Sequence, residues 1–140
     1  MKKLLIATLI ALLGLAGFGV WQVKIVNPAV EAELKNDPSG ERAARTMLLT
    51  FVDGKTIPVN YLEENGKIYA GADGGWWKRF SGKGEPVDML IRGRAMSGYA
   101  VAITDDPAYT HDIFSRLRPK VPAWLPDWLN GVLIEITPDQ

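Results

Sequence analysis

Residues 46–62, TMLLTFVDGKTIPVNYL, place two apolar, β-rich runs on either side of Asp53-Gly54. Asp-Gly is among the strongest short hairpin signals, because the tight turn between paired strands needs residues that tolerate positive φ. The stretch therefore predicts two paired strands. GKIYAGAD, residues 66–73, alternates in the manner of a third strand, and Glu64-Asn65-Gly66 supplies the turn into it. PVDMLIRGRAMSGYAVAI, residues 86–103, gives a run to Ile91, a tight Arg92-Gly93-Arg94 turn and a longer run to Ile103, with Gly98 as a candidate bulge. VLIEIT after Gly131 is the sixth strand.

Between the last two strands, Asp105 or Asp106 can cap a helix whose first turn holds Pro107. Tyr109, Ile113, Phe114 and Leu117 then fall on one helical face. RPKVPAWLPDWLNG, residues 118–131, contains Pro119, Pro122 and Pro126, which exclude a regular helix or a central strand. It reads as a lid whose Trp124 and Trp128 fill a hydrophobic seam, with a pocket wall or a membrane-dipping loop as alternatives. Six short strands and one late helix predict a mainly β protein, a six-stranded antiparallel barrel with short helices.

The front of the chain follows a different logic. From Leu4 to Val23 no residue is charged, and 20 residues at about 1.5 Å each span roughly the 30 Å of a bilayer core. Lys2 and Lys3 precede the run, and Trp21 and Lys24 suit the headgroup zone. Residues 1–24 are thus expected to be a single-pass transmembrane helix or uncleaved signal, with a cleaved signal peptide as the alternative. Lys2 and Lys3 favour a cytoplasmic N-terminus and an extracytoplasmic domain. Residues 25–45, with Pro28, Pro38, Ser39, Gly40 and alternating charges, suit a tether or a short helix over the membrane surface and are read as a linker, leaving 46–140 as the barrel domain.

Beyond the apolar run, 14 Lys and Arg stand against 16 Asp and Glu, so no general affinity for nucleic acid is expected. Without cysteine there is no disulfide, thiolate metal site or cysteine nucleophile. His111, the one histidine, sits beside Asp112 as a solvated pair would, and too few ligands accompany it for a metal site, so none is assigned.

Chemistry concentrates around GADGGWWKRF, residues 71–80. Gly74 and Gly75 can bare backbone N–H groups where Lys78 and Arg79 follow within one turn, so donors and cations would converge on an anion. Trp76 and Trp77 offer flat apolar area for a planar ring system, or else plug the barrel end and lie near lipid. Lys55 and the Thr56 hydroxyl, on the Asp53-Gly54 hairpin, could meet a phosphate.

The order of these elements, RTMLLTFVDGKTIPVNYLEENGKIYAGADGGWWKRF followed by PVDMLIRGRAMSGYAVAI and a Tyr-containing helix, resembles the deazaflavin-dependent nitroreductase family of the FMN-binding split β-barrel superfamily. The resemblance covers about residues 45–137. It implies a split barrel in which Lys55, Thr56, Pro58 and Asn60 on the hairpin and second strand, and Asp73, Gly74, Gly75, Trp77, Lys78 and Arg79 on the following loop, bind a deazaflavin coenzyme or FMN. The implied activity is that of an oxidoreductase, passing hydride from the reduced ring to a small acceptor such as a quinone or nitro compound. The implied assembly is a homodimer. The hairpin here is shorter than in the family and carries one cation, Lys55. A cofactor-free barrel that binds a lipid, a small apolar ligand or a protein partner is the alternative.

Overall fold

The computed structural model describes Lys3 and residues 6–13, 27–122, 124–126 and 131–140. Six strands, β1 (Thr46–Thr50), β2 (Thr56–Glu64), β3 (Lys67–Ala72), β4 (Glu85–Ile91), β5 (Arg94–Ile103) and β6 (Val132–Pro138), close into one barrel in the order β1-β2-β3-β6-β5-β4. All six pairings are antiparallel. The mainly β, six-stranded barrel expected from the sequence is the fold observed.

The predicted turns set the register. Asn65 and Gly66, with φ of 53° and 74°, form a two-residue loop between the paired residues Glu64 and Lys67. That is the left-handed geometry which matches the twist of a hairpin. At the first hairpin the Phe51 amide donates to the Lys55 carbonyl at 2.9 Å, closing the chain around Asp53-Gly54.

Alternation along each strand sends one set of side chains inward. Met47, Leu49, Ile68, Ala70, Ile134 and Ile136 are buried there, joined by Phe80 from a short 3-10 helix (Gly75–Phe80). Burying a side chain of that size contributes roughly 1.5–3 kcal/mol. Gly98 is not a bulge, since β5 stays in unbroken register with β4 through it and its pairing with β6 begins at this residue. A Cβ there would lie 2.8 Å from the Thr137 carbonyl, so close approach of β6 explains the glycine instead.

Two helices cover parts of the outer surface. Helix α2 (Pro107–Leu117) is capped by Asp106, whose carboxylate accepts from the Tyr109 amide, and it lays Ile113, Phe114 and Leu117 over Tyr69 and Leu133. Helix α1 (Asn27–Asn36) lies in the stretch expected to be a linker and packs Val30 and Leu34 against Ala43 and Leu48. The i, i+4 spacing of Val30 and Leu34 makes a narrow apolar stripe inside a charged segment, which is enough to dock a short helix. Arg42 fastens the return by donating to Glu33 at 2.8 Å.

Among the described residues no helix is long and apolar enough to cross a membrane. Residues 6–13 are helical and exposed. The rest of the expected span, Leu4, Leu5 and 14–23, lies outside the described residues, as does Trp128 of the expected lid.

Candidate ligand cleft

The outer face of β2 and β3 is where the predicted residues meet. Register pairs Thr46 with Asn60, and the Thr46 hydroxyl donates to Asn60 Oδ1 at 2.8 Å. That bond holds the amide with its NH2 left to donate elsewhere. Pro58 lies on the same face of β2, ahead of the part of the strand that pairs with β3.

Across from them, Gly71 leaves room for a neighbour. A Cβ there would lie 2.4 Å from Arg118 Nη2 and 2.8 Å from Phe114 Cε1. Through that gap Arg118, just past α2, lies over β3 and donates to the Gly71 carbonyl at 3.1 Å. It also donates to both Asp73 carboxylate oxygens, at 2.8 and 3.2 Å, and its guanidinium lies 5.1 Å from the centre of the Phe114 ring. Arginine suits this fork because its planar donors match a carboxylate two to two.

A cavity of about 440 Å³ opens over this face, lined by Pro58, Asn60, Asp73, Gly74, Trp76 and Arg118, with Val30 and Arg42 on the α1 side. A second of about 740 Å³ shares Arg42, Thr46, Asn60, Asp73 and Arg118 and continues toward Arg45, Arg116 and Lys120. The two form one cleft, apolar and aromatic at the Trp76 end and cationic at the other. The volume is that of a small-molecule site.

Pro58, Asn60, Asp73 and Gly74 are thus brought together. Trp76 lines the cleft, its ring 5.7 Å from Phe51 and 6.1 Å from Phe80. Trp77 is half-buried against the barrel core. Neither Gly74 nor Gly75 has positive φ, a Cβ at Gly75 would meet nothing within 4 Å, and at Gly74 it would meet only Trp76, in ordinary contact. The fold itself does not require this glycine pair.

Of the remaining predicted residues, Lys55, Thr56 and Arg79 lie at the first hairpin. Arg79 lies 4.1 Å from the centre of the Phe51 ring and 3.4 Å from Asp53. The Lys55 amide and then Arg79 hold the Asp53 carboxyl below its usual range. Thr56 shares a 2.8 Å hydrogen bond with Thr50, and Lys55 and Lys78 are exposed. Sequence reasoning missed Arg118, Arg42 and Thr46 in the cleft. For Arg118 a signal existed, since an isolated glycine within a strand, here Gly71, marks close approach.

No protein-family model and no curated protein matches the chain. Solved structures do. A pyridoxamine 5′-phosphate oxidase-like protein from Listeria innocua is similar over 69% of this chain and 85% of its own, with a TM-score of 0.53 and 17% identity. A FAD-binding protein from Mesorhizobium loti aligns over 78% of this chain and 89% of its own, with a TM-score of 0.44 and 17% identity. An F420 reductase aligns over 69% and 88%, with a TM-score of 0.43 and 10% identity. The likeness to the Listeria protein is one of fold.

Proposed function

We propose that the chain is a membrane-anchored oxidoreductase of the nitroreductase or quinone-reductase type, binding FMN or a deazaflavin coenzyme along the cleft and reducing a small acceptor. The observation that carries this reading is the convergence of Pro58, Asn60, Asp73 and Gly74 with Trp76 and Arg118 around one cavity. The barrel shared with the pyridoxamine 5′-phosphate oxidase-like protein supports it at the level of fold.

The donor set fits such a group. Trp76 offers a face for a planar ring, and the Asn60 amide can meet polar atoms at the ring edge. Arg118, steadied by Asp73 and Gly71, and Arg42 supply charge for a phosphate. The glycine pair, which the chain's own packing does not need, allows a ligand to approach the backbone at 74–75. The cofactor would supply the hydride, and the protein would bind, orient and shield it. The uncharged run 4–23 supports the anchor, and Lys2 and Lys3 support an extracytoplasmic domain. A homodimer belongs to the same reading.

The test is thermal melting of the full chain in mild detergent, with FMN and separately with the deazaflavin coenzyme. A native-state ligand at a hundredfold excess over its dissociation constant stabilises by about 2.7 kcal/mol, a rise of several degrees. A rise with either one names the cofactor. No rise with either one sinks the oxidoreductase reading. It would favour a cofactor-free binding module, to which the engagement of Arg79 by Asp53 and Phe51 rather than by the cleft already lends weight. Purified protein that is colourless points the same way.

A further inference from the structure

We infer that the cationic end of the cleft, together with the exposed Trp124 beyond it, docks onto the anionic headgroups of the bilayer that holds the chain. The inference rests on the proposed reading of 4–23 as an anchor.

Charge is the first ground. Arg42, Arg45, Arg116, Arg118 and Lys120 line the larger cavity, with Asp73 the one acidic residue among its lining. Arg42 is engaged by Glu33, Arg116 by Glu64 and Asp112, and Arg118 by Asp73. Arg45 and Lys120 are exposed and make no side-chain hydrogen bond or ion pair among the described residues. Five cations against these four carboxylates leave the cluster at +1, and Arg45 and Lys120 are the unpaired charges that an anionic surface attracts within a Debye length.

Trp124 is the second ground. Its relative exposure is 79%, the highest among the exposed large hydrophobic side chains described, so the expected packing into a hydrophobic seam does not occur. An indole carries a broad apolar face and one N–H donor, the combination that favours the headgroup zone. Pro122 and Pro126 flank it and restrict the loop, which lowers the entropy lost on insertion.

Placement is the third. The apolar run ends at Val23 and α1 begins at Asn27, so an extended connection reaches at most about 14 Å. Val30, in the first turn of α1, lines the same cavity as Arg118, and Lys120 and Val121 line its continuation. The patch therefore lies on the side of the barrel where the chain leaves the bilayer.

Because the chain has no cysteine, Trp124→Cys accepts a single environment-sensitive fluorophore. The labelled full chain is incorporated into phosphatidylcholine nanodiscs with and without phosphatidylglycerol. Docking gives a blue-shifted emission on the anionic discs that reverts at high salt and in an Arg45→Gln, Lys120→Gln background. Emission that is the same on both disc types, or insensitive to the two substitutions, overturns the inference. So does an equal response to inorganic phosphate in detergent, which would assign the cations to a soluble anion. Co-elution with the discs reads the anchor separately. A chain that fails to co-elute overturns both readings, whereas one that co-elutes with unshifted emission overturns docking alone.

Discussion

Arg118 and Asp73, 45 residues apart, are joined through both carboxylate oxygens, and the pair ties the end of α2 to the exit of β3 at the wall of the cleft. The Asp73 side chain is 73% exposed, so water screens the bond. Exposed pairs of this kind are worth about 1 kcal/mol or less to stability. A cation held in place at a cavity wall has more to offer a ligand than it offers the fold.

Arg118→Ala accordingly separates the two roles. Losing a charged hydrogen bond of about 1.5–3 kcal/mol weakens ligand binding roughly tenfold to a hundredfold. Stability in urea should fall by only about 1 kcal/mol, most of it from the exposed ion pair and the stack on Phe114. Titration of FMN or deazaflavin coenzyme beside urea unfolding checks both. Unchanged affinity would remove Arg118 from the site.

Gly71→Ala attacks the same contact from beneath. The new methyl would sit 2.4 Å from Arg118 Nη2 and 2.8 Å from Phe114 Cε1. The guanidinium can swing away, but the buried Phe114 ring has little room. Overpacking of this kind costs about 1–3 kcal/mol. Adding Arg118→Ala should recover part of the loss, because the two changes share one contact. Strict additivity in urea unfolding would show that they do not meet.

The strands were legible because their signals are local. Asp53-Gly54, Asn65-Gly66 and Arg92-Gly93 each mark a turn within a few residues of the strands it joins. Asp106 and Pro107 announced α2 in the same way. Of the residues expected at a site, Pro58 and Asn60 on β2 and Asp73 just past β3 line the cleft. Arg118 was legible only in part, because Gly71 marks a close approach to β3 but nothing local says that the neighbour is a side chain 47 residues further on. A short helix within 25–45 was an open reading beside a tether, but its docking was not legible, because two apolar residues among charges reveal no partner until Leu48 is seen to need cover. The tryptophan pair was ambiguous by nature, since adjacent side chains on a short helix diverge and the sequence does not say which one faces the cleft.

Trp76 and Trp77 should therefore behave differently. Both pack against the barrel core, Trp76 through Phe51 and Phe80, but only Trp76 also lines the cavity. Each is half-buried, so replacing either with Ala should cost roughly 1–3 kcal/mol in urea unfolding. Only Trp76→Ala should also weaken the cofactor. Equal losses of affinity in the two variants would show that the pair acts as one surface.

Tyr109 makes a prediction about pH. Its hydroxyl donates to Glu135 Oε2 at 2.8 Å and lies 2.6 Å from the Tyr69 hydroxyl. A hydroxyl has one proton to give, so Tyr69 must donate to Tyr109, and the order runs Tyr69 to Tyr109 to Glu135. Burial, followed by the hydrogen bonds to Tyr69 and Glu135, pushes the Tyr109 pKa well above its ordinary value of 10.0. The folded state therefore keeps the proton where the unfolded chain loses it. The contribution is fully present below about pH 10 and declines above it, by at most about 1.4 kcal/mol per pH unit. Tyr109→Phe should cost about 1–2 kcal/mol at pH 8, where the relay is intact. Between about pH 10 and pH 11 the gap between wild type and variant in urea unfolding should close by about 1 kcal/mol, because only the wild type carries the group that titrates. A gap that stays constant across that range would mean that Tyr109 ionises alike in both states and that the relay does not hold its proton.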